Sequence, residues 1–182
     1  GGLGLDSTTF ATIFEEIAKG WMALCGVLGS HHIMTYLVAE FGTSEQQKRL
    51  LPSMARGEIR GGLALTEPDA GSDVQSIQTS AVLNSDEYVI NGNKMFITNG
   101  LHADAIAVLA VTDGSATPRS NGMSCFIAHR GPGFSVGREL DKLGYRGVDT
   151  CELSFEGYRC KATDLIGGKE GEGFKQVMSA LE

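Results

Sequence analysis

The spacing of apolar residues predicts an amphipathic helix at the start of the chain. An apolar stripe recurs every three or four positions between residues 6 and 19, as one face of a helix requires: Phe10, Ile13, Phe14, Ile17 and Ala18. Asp6 or Ser7 can cap the start of this helix, and Gly20 can close it.

A second and more hydrophobic helical region covers residues 21 to 41. Its first part is apolar on nearly every face, Gly29 and Ser30 interrupt or cap the run, and a helical face then resumes up to Gly42. The pattern predicts a buried helical hairpin or one bent helix.

A third, shorter helix is predicted by a capping signal. Ser44 and Gln47 have the spacing of a capping box, which indicates a helix that runs toward Arg56. Pro52 lies inside this segment and should break or kink it, because proline removes one backbone donor.

The pattern changes from helical to β-like near Arg60. Short apolar runs punctuated by Gly and Asn follow, and the strongest local signal is the pair Asn91-Gly92 between residues 88–90 and 94–98. This pair tolerates the two positive φ values of a type I′ turn. We therefore predict a β-hairpin centred on Asn91 and Gly92.

Three further runs predict strands, at residues 105–111, 123–128 and 151–155, and in the last run alternate Cys, Leu and Phe side chains should point inward. Several short strands at this spacing indicate a small barrel or sandwich. An apolar stripe then restarts a helix after a Gly-rich segment. The predicted fold class is multi-domain α+β, with an all-α N-terminal part at residues 1–59, a β-barrel or sandwich middle domain at 60–160, a linker at 161–173 and the start of a C-terminal helical bundle at 174–182.

Composition narrows the possible functions by exclusion. The chain has 182 residues, is 42% hydrophobic and carries a formal net charge of -7 with scattered basic residues, which argues against binding nucleic acid. Four widely spaced cysteines without a Cys-x-x-Cys pair disfavour zinc and a disulfide framework. No apolar stretch reaches the roughly 20 residues of a membrane span. We expect a reducing intracellular location, in a bacterial cytoplasm or a mitochondrial matrix.

The candidate binding chemistry lies in the segment LALTEPDAGSD, residues 63 to 73. The Thr66 hydroxyl can donate and accept, Gly71 could let the backbone approach a ligand, and Ser72 with the following amides could bind an anion. On the residues alone an ordinary turn is favoured by a modest margin. Asp69 and Asp73 are then residues that bend the turn, with no role in proton transfer.

Two other groups of residues have alternative readings. Phe96, Ile97 and Thr98 could line the edge of a flat cofactor, although packing of Phe96 in the core is the more common explanation. His31 and His32 are adjacent on a helix and cannot form the i, i+4 pair that a metal prefers. One of the two is predicted to be buried or capping and the other exposed.

Taken together, three ordered blocks resemble the acyl-CoA dehydrogenase family. The blocks are residues 65–73, residues 90–100 and residues 143–156, and the segment from Phe41 to Pro52 is similar to the end of the family's helical N-terminal domain. The resemblance covers almost the entire chain. It implies a flavoenzyme of fatty-acid metabolism and β-oxidation that uses FAD to introduce a trans double bond between the α and β carbons of an acyl-CoA.

The resemblance also implies roles for individual residues. Thr66 would lie near the pyrimidine edge of the flavin, Thr98 beside flavin N5 and Phe96 beside the isoalloxazine, while Ser72 would reach toward the CoA part of the substrate. The implied cofactor-binding set is Leu63, Ala64, Leu65, Thr66, Gly71, Ser72, Phe96, Ile97 and Thr98.

The family pattern leaves the catalytic base outside this chain. Glu182 corresponds to an acidic residue of the first C-terminal helix and is expected to bind substrate, so no catalytic residue is assigned and the chain alone should be inactive. Lys161 replaces a usual proline and Val148 a common serine, which leaves any polar contact from position 148 in doubt. The implied partners are an acyl-CoA substrate and an electron-transfer flavoprotein, with the full-length enzyme a homotetramer. A non-catalytic FAD- or CoA-binding module and an acyl-CoA oxidase stay open as alternatives.

Overall fold

The computed structural model of the chain describes residues 4–182, and helices form its N-terminal part. The first three helices are α1 (Ser7–Trp21), α2 (Ala23–Phe41) and α3 (Ser44–Ala55). Helix α2 runs without interruption through Gly29 and Ser30, so the predicted break there is wrong and the region is one helix. Packing of α2 against the sheet and α3 offsets the low helix propensity of its glycines.

Helix α1 begins at the predicted Asp6 cap but runs through Gly20 to Trp21, so the predicted end at Gly20 is wrong, and the cap of α3 differs from the predicted one by one residue. Asp6 accepts a hydrogen bond from the Thr9 amide at 2.7 Å. At α3 the capping box uses Thr43 and Gln46 instead of Ser44 and Gln47. Helix α3 also continues past Pro52, so no break occurs at the proline.

Seven strands form one mixed sheet that carries the middle of the chain. They are β1 (Gly61–Ala64), β2 (Ser80–Asn84), β3 (Glu87–Thr98), β4 (Ala105–Val111), β5 (Met123–His129), β6 (Phe134–Glu139) and β7 (Thr150–Lys161). Strand β4 pairs in parallel with β1 and β2 along one edge and antiparallel with β5 along the other. The sheet continues from β2 through β3 and β7 to β6 by antiparallel pairing. The α+β fold class is confirmed.

The structure contains a β-hairpin, but at a different position from the predicted one. Strands β2 and β3 are joined by Ser85 and Asp86, with Ser85 at a φ of 61°. Asn91 and Gly92 lie inside β3, so the predicted hairpin is wrong. The side-chain oxygen of Asn91 instead accepts a hydrogen bond from the amide of Gly157 at 2.7 Å, where β7 bulges against β3.

The sheet separates two hydrophobic cores. Along β4, residues 106, 108 and 110 face the core inside the curled sheet, whereas residues 105, 107 and 109 face the helices. The predicted inward alternation on β7 is confirmed, because Cys151, Leu153 and Phe155 are all buried. A strand buried on both faces reads as a continuous apolar run, which is the pattern of β4.

The chain ends in helix α4 (Gly173–Leu181), as the restarted apolar stripe predicts. This helix packs against α2 and β5. The preceding segment is held by Gln46 of α3, whose side-chain amide donates to the carbonyls of Thr163 at 2.9 Å and Leu165 at 2.7 Å. Within residues 4–182 no helix combines the length and hydropathy that crossing a bilayer would require.

Candidate functional site

A cavity of about 310 Å³ lies where the ends of β1 and β3 meet one face of α2. The residues that line it are Cys25, Gly26, Gly29, Ser30, Ile33, Leu63, Leu65, Thr66, Phe96, Ile97 and Thr98. It is therefore assembled from the helical part and the β part of the chain. Small and hydroxyl-bearing side chains leave room for a flat ligand and supply polar groups at its edge.

A β-bulge in β3 turns Phe96 toward this cavity. The pairs Lys94–Leu153 and Ile97–Cys151 are separated by three steps along β3 but only two along β7, so β3 carries one extra residue. Phe96 takes a φ of 62° at this point, a conformation that is rare for an aromatic residue. As a result 58% of the Phe96 surface is exposed instead of packed in the core. Bulges commonly redirect a side chain in this way.

The same bulge allows β3 to hold the segment that follows β1. The amide of Met95 donates to the carbonyl oxygen of Thr66 at 2.8 Å. The ammonium of Lys94 donates to the carbonyl oxygen of Leu65 at 3.0 Å and to Glu67 Oε1 at 2.9 Å. Consecutive residues after β1 are thus fixed by consecutive residues of β3.

Lys94 and Glu67 form a buried ion pair beneath the cavity wall. The Lys94 side chain is 0% exposed and that of Glu67 is 7% exposed. Burial alone would raise the pKa of the Glu67 carboxyl, but Lys94 and hydrogen bonds from Thr79 and Gln78 hold that pKa below its ordinary value. Burial lowers the pKa of the Lys94 ammonium, and Glu67 opposes that change.

The opposite side of the cavity is fixed by contacts between α2 and the sheet. His31 Nδ1 accepts a hydrogen bond from the Gly61 amide at 3.0 Å, which leaves that nitrogen without a proton. The side-chain amide of Asn99 donates to the carbonyls of Gly61 and Val27, each at 3.0 Å. Burial lowers the pKa of His31, so the neutral ring that this geometry needs is favoured. His32 is exposed as predicted, whereas His31 is half-buried and binds the first residue of β1, so the prediction that it is fully buried or caps a helix is wrong.

The structure brings six of the nine predicted cofactor residues into this cavity. They are Leu63, Leu65, Thr66, Phe96, Ile97 and Thr98. Ala64 alternates away from the cavity and is fully buried in the sheet core. Gly71 and Ser72 lie exposed on the following turn, and Glu182 is exposed beyond the end of α4.

Sequence reasoning missed the α2 side of the cavity. The residues concerned are Cys25, Gly26, Gly29, Ser30 and Ile33. A signal was present, because two glycines in a helix interior cost about 1 kcal/mol each relative to alanine and call for a packing or functional reason. A Cβ atom at Gly29 would meet only the Phe14 ring, at 3.8 Å, so the helix packing itself does not require glycine there.

The chemistry of the cavity is polar but uncharged. Among residues 4–182, no Asp, Glu, His, Lys or Arg side chain is part of its lining. No cluster of three or more His, Cys, Asp or Glu residues in the described part of the chain could hold a metal ion. The arrangement can bind and orient a ligand through ring contacts, hydroxyl groups and backbone groups.

Known protein families match both parts of the chain. Residues 1–58 match the family described as acyl-CoA dehydrogenase, N-terminal domain, and residues 62–158 match acyl-CoA dehydrogenase, middle domain. Isovaleryl-CoA dehydrogenase, mitochondrial, from Pongo abelii is 40% identical, with 100% of this chain aligned to 43% of that protein. The short-chain specific acyl-CoA dehydrogenase of Clostridium acetobutylicum is 43% identical, with 100% of this chain aligned to 48% of it. The chain therefore spans less than half the length of these relatives.

Solved structures give the same result. A Geobacillus kaustophilus acyl-CoA dehydrogenase matches with a TM-score of 0.93 and 42% identity over 100% of this chain and 48% of its own. A structure described as the electron transferring flavoprotein of Acidaminococcus fermentans matches with a TM-score of 0.93 and 40% identity, over 100% and 47%. An FAD complex of PigA matches with a TM-score of 0.82 and 30% identity, over 88% and 42%. The chain belongs to the acyl-CoA dehydrogenase family.

Proposed function

We propose that the whole protein is an FAD-dependent dehydrogenase that oxidises an acyl-CoA thioester to the trans-2-enoyl-CoA. The observation that carries this proposal is the single cavity shared by Thr66, in the segment after β1, and by Phe96 and Thr98 of β3, the three residues for which the sequence resemblance implies flavin contacts. Family membership supports the reaction class, and the named relatives act on acyl-CoA thioesters.

The cavity residues fit a flavin on several grounds. The exposed Phe96 ring offers a flat apolar surface, and the Thr66 and Thr98 hydroxyls offer hydrogen bonds at its edge. A Cβ atom at Gly62 would lie 3.2 Å from the Thr98 carbonyl oxygen, so glycine lets β1 and the end of β3 approach closely. The FAD complex of PigA supports FAD as the cofactor.

Bound FAD would supply an acceptor for the hydride that leaves the substrate β carbon. In this proposal Leu63, Leu65 and Ile97 exclude water from that acceptor, while Thr66 and Thr98 orient it. Ser72 and Glu182, both exposed, would contact the CoA thioester. The uncharged lining agrees with a catalytic base that is supplied by the C-terminal helical domain.

We further propose the partners and location of the whole protein. An electron-transfer flavoprotein would accept the electrons, in keeping with the electron transferring flavoprotein structure that this chain resembles. The enzyme would be a homotetramer of a bacterial cytoplasm or a mitochondrial matrix, since the relatives include mitochondrial and bacterial proteins. The domain limits proposed for this chain are 1–59, 60–160, 161–173 and 174–182.

Turnover of the whole protein with short, long and branched acyl-CoAs tests the proposal. With an artificial electron acceptor and oxygen excluded, the expected product is the trans-2-enoyl-CoA, identified by mass spectrometry. Turnover that requires oxygen and yields hydrogen peroxide would identify an oxidase instead. Bound FAD with no turnover of any acyl-CoA would support a non-catalytic binding module and contradict the proposal.

A further inference from the structure

We propose that the buried ion pair of Lys94 and Glu67 is a positioning device for the flavin cavity, with Lys94 as a positioning residue. The inference rests on the proposed function, because the ligand that it positions is FAD. It adds to that function two charged residues that do not line the cavity.

The first step is the reach of the Lys94 ammonium. It donates to the Leu65 carbonyl oxygen at 3.0 Å and to Glu67 Oε1 at 2.9 Å, while the neighbouring Met95 amide donates to the Thr66 carbonyl oxygen at 2.8 Å. The peptide groups on both sides of Thr66 are therefore fixed from β3. Fixing these peptides fixes the direction in which the Leu65 and Thr66 side chains enter the cavity.

The second step concerns the carboxylate of Glu67. Its Oε2 accepts a hydrogen bond from the Gln78 amide at 2.7 Å, and its Oε1 accepts one from the Thr79 amide at 2.9 Å. The amide of Glu67 also donates to the Ala70 carbonyl oxygen at 2.8 Å. The pair thus joins the segment after β1, the turn that follows it, the residues before β2 and the middle of β3.

The third step is the choice of a charged pair at this position. Replacing a buried ion pair by an apolar pair of similar volume is often neutral or stabilising, so stability alone does not account for these residues. An ammonium group carries three donors and can hold a carbonyl and a carboxylate at once, which no apolar side chain can do. Orientation of the backbone at Leu65 is the property that an apolar pair would lose.

Neutral double variants separate positioning from stability. Lys94→Met alone leaves the Glu67 charge buried without its partner and should lower the melting temperature. Combined with Glu67→Gln, the same change restores a neutral core but leaves the Leu65 carbonyl without its donor. Glu67→Gln combined with Lys94→Leu gives a second neutral pair of different shape, so the test does not depend on the folding of one variant.

An exposed ion pair provides the matched control. Arg56 and Glu58 contact each other at 2.7 Å and are both more than half exposed. The double variant Arg56→Met with Glu58→Gln removes the same charges far from any role in the cavity. It should leave both the melting temperature and FAD binding unchanged.

The experiment measures the FAD dissociation constant, the visible spectrum of the bound flavin and the melting temperature of the whole protein. We expect the neutral pairs to melt closer to the wild-type temperature than Lys94→Met alone does, but to bind FAD about tenfold more weakly than the wild type, with a shifted flavin spectrum at saturation. Glu67→Gln alone keeps the Lys94 donor to Leu65 and should bind FAD more tightly than either neutral pair, although it leaves the Lys94 charge buried without its partner and should lower the melting temperature. A well-folded neutral pair with wild-type FAD affinity and spectrum overturns this inference alone. A wild-type protein that takes up no FAD overturns the proposed function and this inference together.

Discussion

The left-handed backbone conformation of Phe96 predicts which of two variants at this position, glycine or alanine, is the more stable. Left-handed φ costs a residue with a side chain about 1–2 kcal/mol, whereas glycine adopts it freely. At an ordinary strand position glycine is less stable than alanine by about 0.5–1 kcal/mol. At Phe96, with φ 62°, the order should reverse, so Phe96→Gly should be more stable than Phe96→Ala by about 1 kcal/mol.

Val82 of β2 is the matched control. Its surface is 62% exposed against 58% for Phe96, and both positions lie in strands at the same sheet. Both members of each pair lose the native side chain, so the glycine–alanine difference reports the backbone alone. We expect Val82→Gly to be less stable than Val82→Ala by about 0.5–1 kcal/mol.

Urea unfolding followed by circular dichroism measures these differences, with the slope m checked for each variant. The difference between the two pairs isolates the left-handed term, about 1–2 kcal/mol. Phe96→Ala as stable as Phe96→Gly, with the Val82 pair behaving as expected, would refute the bulge and with it the explanation of the exposed ring. Both Phe96 variants should also bind FAD more weakly, because the cavity loses one wall.

Three further predictions concern stability and cavity shape. Gly29→Ala should raise the free energy of unfolding by about 1 kcal/mol through helix propensity and yet weaken FAD binding. Gly20→Ala is the control and should stabilise the fold without affecting FAD binding. Unchanged FAD affinity in both variants would contradict the proposed cavity. Gly92→Ala should destabilise the fold by about 1–3 kcal/mol, because its Cβ would clash with the side chain and backbone of Thr79. A melting temperature equal to that of the wild type would contradict this packing. Burial lowers the pKa of His31 in the folded state. The neutral ring therefore stabilises the fold fully above pH 6.5, and this stabilisation is lost as the pH falls from 6.5 through the lowered pKa. His31→Gln should therefore reduce the loss of stability on acidification below pH 6.5, as measured by melting temperature against pH, and an unchanged profile would exclude this role.

Local sequence patterns predicted the helices and several strands well. The stripes in α1 and α4, the continuous apolar run of β4 and the alternation on β7 depend on burial that recurs along one element. These signals are local, so a single sequence contains them. Strands β2 and β6 were not predicted, because burial does not alternate regularly along them; Val82 and Leu83, for example, are both exposed on β2.

The errors come from features that depend on a distant partner. Asn91 and Gly92 have the composition of a hairpin turn, but their special geometry serves the bulge opposite Gly157, which lies more than sixty residues away. The contact between Lys94 and Glu67 spans 27 positions and has no local signature. The candidate cavity was predicted only in part. Its residues around β1 and β3 lie in recognisable motifs, whereas its α2 residues come close to them only after folding.

Anaerobic reduction of the bound flavin tests the central claim most directly. The whole protein, purified with FAD and titrated with an acyl-CoA in the absence of oxygen, should lose its oxidised-flavin absorbance as trans-2-enoyl-CoA appears in equal amount. The double variant Lys94→Met with Glu67→Gln, saturated with FAD, serves as a comparison in which the backbone at Leu65 is no longer held by Lys94. Bound flavin that stays oxidised with every chain length and branching pattern would contradict the account.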